Sequence, residues 1–493
     1  MTDRVYAPNI HLFAFHLWKS FTPDGKPPQQ SPELLWQTCQ DILAKFEISY
    51  PLTLRTDNPS SYRVDWLKDA RDNGKVFTPK LSGKTPNNST YPQQPQLDIT
   101  AIVYPLRIGD SYALTLNLRR PQKLGDDAVE IARLGDFNPN HCFLPDFIKS
   151  NLGQTLLITA FLTEAQKQQD INSLAKLADQ CVQNFLGENN PTQIPYRYQS
   201  GQLFGSPIFE YGIPGESHSY GHILVWFFVS EETSIKFARD TYNQFPDLFL
   251  YRTKIIKAYQ DSRQNYDDAI VKSKEIECSI GELKQRPQAQ TLSEQELEIL
   301  NTQIKSLLQL ALEYSQLLRD MEFYRNSIKI NRDNYTEKLK QIRAKLPTED
   351  LSFLEEFSQT SAPHFQEQIQ ADLDYLVHAS KLLEQAIATI RGIVEIDQAK
   401  RNEQQAIREN LRDRNFQTTT FAIGSGLAVG GLVISASSQV TPEKPMEMPW
   451  SSSAAFSLHP FVIWVVVSIL SGLAAAIVAW WLTRLWQNYS EGA

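Results

Sequence analysis

Residues 297–321 read LEILNTQIKSLLQLALEYSQLLRDM. Leu297, Leu300, Ile304, Leu307, Ala311, Tyr314, Leu318 and Met321 fall at alternating spacings of three and four, the a/d pattern of helices packed as a coiled coil. The pattern returns at Ile369, Leu373, Leu376, Ser380, Leu383, Ile387, Ile390 and Val394. Long antiparallel coiled-coil helices are therefore expected over 250–346, with a break at Arg286-Pro287 and a restart at Ser293-Glu-Gln. A second break lies between Lys345-Leu-Pro347 and Pro363, after which a stalk helix is expected over 363–417. From His364 to Ser438 there is no proline, and Gly392 is the only glycine before Gly424. One unbroken helix of about 75 residues, or ~110 Å, is expected there.

Upstream, residues 1–245 mix the two periodicities and predict an α/β domain with helices packed on a sheet. Ile10–Trp18 and Gly221–Val229 read as strands, and Asp98–Arg107 with Ser111–Arg119 as a hairpin around Gly109-Asp110. Ser31-Pro-Glu-Leu opens a helix through Phe46, and Leu156–Leu162 is a strand followed by a helix from Glu164 to Phe185. The polar segment Asp57–Pro95 reads as a loop.

Downstream, 418–438 and 461–483 are apolar runs with no Asp, Glu, Lys or Arg. Each is long enough to span a ~30 Å hydrocarbon core, so a C-terminal two-helix transmembrane hairpin is expected. Lys400, Arg401, Arg408, Arg412 and Arg414 precede the first run, whereas the 439–460 loop holds only Lys444. That asymmetry predicts a bacterial-type inner membrane protein with both termini cytoplasmic, an external loop at 439–460 and a cytoplasmic tail at 484–493. The polar opening Met1–Asn9 predicts no signal peptide. Four unpaired cysteines suit reduced thiols, and the net charge of −8 argues against direct nucleic-acid binding.

Within the first run, Gly426 and Gly430 form a GxxxG that favours close helix packing. Carried forward, the stalk heptad places Thr418, Ser425, Leu432 and Gln439 on one stripe, with Ser435 beside it. Such a stripe suits a pore lined by several copies, or hydroxyls bonded back to their own helix. Glu443 and Glu447 of the external loop would form a cation-attracting ring in an oligomer, or are ordinary wet-loop glutamates.

This arrangement resembles the CorA-type divalent-cation channel superfamily. The segments that carry the likeness are QAKRNEQQAIRENLRDRN (398–415), Met448-Pro449-Trp450 and His459-Pro460-Phe461. The resemblance implies a homopentamer in a lipid bilayer, conducting an inorganic cation such as magnesium under control of a sensor domain. Nucleotide messengers are implied as ligands by bacterial relatives used in defence. The family's Gly-Met-Asn signature is absent: the corresponding stretch reads Ser435-Ala-Ser-Ser-Gln-Val440, and the C-terminal basic run is reduced to Arg484.

Little in residues 1–245 suggests catalysis. His11 and His16 lie five apart on a strand and face opposite ways; His141-Cys142, His218 and His222 lack the short paired spacings of zinc sites. Gly201–Gly221 is rich in glycine and aromatics and holds Glu210, which suits a hairpin with turns or a ligand loop. It matches neither a Walker A nor a GxGxxG motif. The expected function is a non-enzymatic, stalk-gated channel or channel-like effector; the alternative is a membrane-tethered coiled-coil scaffold or signalling protein without conduction.

Overall fold

The computed structural model describes residues 3–490 apart from 19–32, 58, 69–70, 73–74, 77–79, 87–94, 123–126, 188–193, 217–218, 285–292 and 410–459. They fall into two compact units, Met1–Arg391 and Gly392–Ala493.

The first unit opens with β1 (Arg4–Leu17), whose C-terminal eight residues are all buried. Helix α1 (Glu33–Lys45) follows, then β2 (Arg63–Asp65), a small ribbon of β3 (Arg71–Asp72) and β4 (Lys75–Val76), and β5 (Lys80–Lys84). The expected hairpin forms as β6 (Asp98–Ile108) and β7 (Ser111–Arg119), closed by Gly109 at φ 60°. Beyond it lie β8 (Ala128–Glu130), α2 (Pro145–Ile148) and β9 (Gly153–Phe161). The helix expected over 164–185 is two: α3 (Glu164–Lys167) and α4 (Ile171–Leu186). Thr163 caps the first with a reciprocal Gln166 box, and Asp170 accepts from Asn172 and Ser173 to start the second. Strands β10 (Arg197–Leu203), β11 (Ser206–Tyr211) and β12 (His222–Phe228) complete the sheet.

The ten-stranded sheet runs β10-β11-β12-β9-β1-β7-β6-β2, with β5 on β6 and β8 on β1. Among the described residues only the β12–β9 pairing is parallel; the other pairings in this sheet are antiparallel. β5 pairs with β6 inside the segment expected as a loop. One face of the sheet buries Leu12, Leu116, Leu156 and Val225 together with Leu43, Leu177 and Phe185 of α1 and α4. The other face meets aromatic side chains that follow α5 (Glu231–Ile235). Phe237 packs on Trp226 at 5.0 Å, and Phe13 packs on Phe249 at 5.0 Å. Covering both faces explains why 154–160 of β9 are buried throughout and why 223–228 of β12 are all apolar.

Helix α6 (Phe245–Lys284) begins under that second face and continues beyond the sheet. It is followed by α7 (Glu294–Lys345), α8 (Ser352–Glu356) and α9 (Ala362–Glu409). Ser293 and Glu296 form the capping box that restarts the chain as α7. Lys338 lies 3.7 Å from Asp247 near one end and Lys272 3.0 Å from Glu313 farther along, so α6 and α7 are antiparallel. α9 joins them: Tyr314 donates to the Leu376 carbonyl at 2.7 Å, and Tyr259 stacks on Phe365 at 4.1 Å. Along α7, Leu300, Leu307, Tyr314, Met321, Ile328, Tyr335 and Ile342 are buried at every seventh position. Their expected companions Ile304, Ala311 and Leu318 are only half-buried. Leu310, Tyr324 and Leu339 are buried instead, because two neighbours broaden the apolar face of this helix.

The C-terminal expectation is corrected. Among the described residues no helix is long and apolar enough to cross a membrane. The transmembrane hairpin, the placement in a bacterial-type inner membrane, and the membrane-protein and ion-channel assignments fall with it. The 418–438 run, the 439–460 loop and the end of the expected stalk lie outside the described residues. The 461–483 run belongs to a helix, Pro460–Ser490. Leu470, Ile477 and Trp481 on it are exposed. An apolar run by itself reports hydrophobicity, not the medium that covers it.

Candidate functional site

Within the stretch Gly201–Gly221, 201–211 form a hairpin and 212–216 a wall of a cleft. β10 and β11 are joined by Phe204-Gly205, both at positive φ (50° and 74°), as a type I′ turn requires. β11 is buried throughout, yet it carries Glu210. Its neighbour β12 starts at His222, which pairs in register with Thr155 of β9. From α6, Arg252 reaches under the sheet.

These residues form one buried polar cluster. Arg252 Nη2 donates to Glu210 Oε1 at 2.5 Å, and His222 Nε2 lies 3.1 Å from the same oxygen. His222 Nδ1 is 2.9 Å from Thr155 Oγ1. Side-chain exposure is 7% for Glu210 and 5% for Arg252. Burial opposes charge on Glu210, but Arg252 and His222 outweigh it and hold the carboxyl below its ordinary range. Burial, reinforced by Arg252, lowers His222 to about 4, so its ring is neutral near pH 7. The carboxylate only accepts, so Nε2 carries the proton and the Thr155 hydroxyl donates to Nδ1. Both ring nitrogens are thus occupied. Arg252 also stacks over Phe357 at 4.7 Å, in the π-helical turn Phe357–Ser361 that leads into α9. Nearby, burial and then Glu210 raise the Glu356 carboxyl.

Beside this cluster is a cleft of about 170 Å³, walled by the 212–216 loop, the start of β9 and α6. Gly153 (φ 119°) and Gly215 (φ 90°) shape it. A Cβ on Gly215 would lie 2.9 Å from Tyr259 and 3.0 Å from Phe365, so only glycine seats the loop on that stacked pair. The cleft loop therefore rests on α6 and on the first turn of α9. A second groove, about 380 Å³, lies between α6 and α7, where Lys272 already pairs with Glu275 and Glu313.

Among the described residues the structure brings His222 and Glu210 together but not the other histidines; His218 lies outside the described residues. His11 is buried among Asn117, Tyr242 and Thr159 and lowered to about 3 by burial, then Arg119. His16 is buried and His141 exposed. The pore residues Thr418, Ser425, Leu432, Ser435 and Gln439, the loop residues Glu443 and Glu447, and Gly426 and Gly430 lie outside the described residues. Among the described residues no group of three or more His, Cys, Asp or Glu is arranged to hold a metal ion. Burial raises Cys39 and Cys142 to about 12, which makes both poor nucleophiles.

Arg252 is the residue that pattern reading missed. The signal was present: SPIFEY and LFLYRTKII each embed one or more charges in an apolar segment, and buried opposite charges must find each other. No family model matches the chain, and no curated protein matches it. The resemblance to CorA-type proteins rests on the residues quoted for it alone.

Proposed function

We propose that this chain is a ligand-responsive signalling protein. Its α/β domain receives a small molecule in the cleft beside Glu210–Arg252–His222, and the α6–α7–α9 helices carry the response. Seating of the cleft loop carries this reading: Gly215 sits against Tyr259 of α6 and Phe365 of α9. A second contact supports it, since Arg252 lines the cleft and stacks on Phe357 just ahead of α9. A ligand that moves the loop or the guanidinium changes what the start of α9 packs against, the differential contact that a population shift requires. His222 has no free ring nitrogen, which favours binding over proton transfer at this site.

The test needs no ligand. Ile256→Trp places a bulky side chain in the cleft and mimics occupancy. Hydrogen exchange on the full chain should then change in 362–391 as well as in 212–216. A change confined to the cleft loop, in a variant with native circular dichroism, overturns the coupling.

A further inference from the structure

We infer that the π-helical turn Phe357–Ser361 is a two-state element to which the cleft is coupled; this deepens the reading of the cleft as a ligand site and rests on it. α8, the turn and α9 follow one another without a gap, so one helix runs on from Ser352 with one widened turn. In that turn the Ala362 N–H bonds the Phe357 carbonyl, five residues back. Pro363 accounts for the widening. Its ring has no N–H and, in a regular α-helix, would press on the carbonyl of Gln359. One extra residue just ahead of the proline opens the ladder at that point.

The extra residue also corrects a mismatch between two helices. On α6, Arg252 and Tyr259 lie seven residues apart, close to two full turns, and so share a face. Their partners Phe357 and Phe365 lie eight apart, yet Arg252 stacks over Phe357 at 4.7 Å and Tyr259 on Phe365 at 4.1 Å. Eight residues of α-helix would set the two rings about 80° out of phase; with one residue taken up by the wider turn the difference falls to about 20°. Both rings are buried, while Gln359 and Thr360 of the turn are exposed. Tyr198 of β10 reaches Ser361 at 3.3 Å, and Tyr335 of α7 packs on Phe357 at 5.6 Å, so three elements hold the turn wide. If 357–361 rewinds as α-helix, only one of the two rings can keep its partner on α6. Each partner belongs to the cleft: Arg252 lines it, and Tyr259 supports Gly215 of its loop. A ligand that displaces Arg252 or lifts the 212–216 loop therefore removes a contact that holds the turn wide. The two windings are discrete, one residue apart, and a population shift acts on such a pair. Pro363 penalises the α winding, so the wide turn is the ground state.

Hydrogen exchange on the full chain tests this with two variants. Pro363→Ala restores a donor and removes the ring, so it releases the α winding while the extra residue stays. Exchange in 352–361 should then rise about tenfold or more, although alanine is by itself the better helix former. Unchanged or slower exchange there overturns the inference. Deleting Thr360 in the Pro363→Ala background brings Phe357 and Phe365 into phase on an ordinary α-helix. That chain should keep wild-type exchange in 212–216, and Ile256→Trp should no longer alter 362–391 in it. If Ile256→Trp alters 362–391 there as it does in the wild-type chain, the coupling stands and the turn is not its element. Ile256→Trp that is silent in the wild-type chain sinks the coupling itself, while faster exchange in Pro363→Ala would still keep the two windings. Should the deletion fail to fold, Pro363→Ala alone decides.

Discussion

Glu210 and Arg252 meet at 2.5 Å across the gap between a buried strand and the helix beneath it, each less than a tenth exposed. A buried pair need not add net stability, but losing one partner strands the other in a low-dielectric interior. Arg252→Met should therefore destabilise the fold by about 3–5 kcal/mol. Adding Glu210→Gln should restore a large part of that loss, because the stranded charge is gone. Urea unfolding of the two single variants and the double variant gives the cycle. A cost under about 1 kcal/mol for Arg252→Met would show that Glu210 is not held as a buried carboxylate.

The pH dependence of stability follows from the histidines. His11 and His222 are lowered to about 3 and about 4 in the fold, against about 6.5 unfolded. Between pH 6.5 and 4 the unfolded chain binds more protons than the native one, so stability rises with pH there and is lost as pH falls. Glu210, also lowered, acts in the same direction at the acid end of that range. The stability contributed by His222 is complete above about pH 6.5 and gone near its folded value. Unfolding free energies at intervals from pH 7.5 to 4 should show this slope, and His222→Gln should flatten it by up to one proton. Equal slopes in the two proteins would mean that His222 is charged or solvated in the fold.

The helices were more legible than the site because helix packing repeats and a site does not. A 3–4 alternation over 25 residues marks α7 unambiguously, and Ser293 with Glu296 marks its start. Which residues of that stripe are most buried was not legible: Leu310 rather than Ala311 depends on α9 lying beside α6. In the sheet, β6 and β7 declared themselves by alternation around Gly109. β5 did not, because KLSGK is polar and becomes a strand only through pairing with β6. Arg252 lies 42 residues from Glu210, and no local pattern connects them. The C-terminal runs taught the opposite lesson: 461–483 is apolar and helical, yet a membrane crossing does not follow from composition alone.

Two glycines with similar backbone angles isolate the contact between the cleft loop and the helices. Gly205 (φ 74°) has nothing within 4 Å of an added Cβ, whereas Gly215 (φ 90°) meets Tyr259 and Phe365. Gly205→Ala should cost only the backbone term, about 1–2 kcal/mol. Gly215→Ala should cost that plus the displacement of a stacked aromatic pair, about 1–3 kcal/mol more. Exchange in the first turns of α9 should rise in Gly215→Ala alone. If the two variants behave alike in thermal and exchange measurements, the loop is not seated on Phe365.

The register of the helical arm is open to the same kind of test. Ile328 is fully buried at a heptad position of α7, while Leu312 on the same helix is 62% exposed. Ile328→Ala removes buried methyl groups and leaves a cavity, so it should cost about 2–5 kcal/mol. Leu312→Ala should stay within about 0.5 kcal/mol. Tyr314→Phe keeps the ring and deletes only the hydroxyl that donates to the Leu376 carbonyl, so about 1 kcal/mol is expected. That last variant is the most discriminating of the three, because its bond exists only if α9 lies against α7 in this register. A one-turn slip moves Leu376 about 5.4 Å along the axis and breaks it. Chemical denaturation would then show Tyr314→Phe as silent while Ile328→Ala kept its cost, leaving the α6–α7 hairpin intact and the placement of α9 wrong.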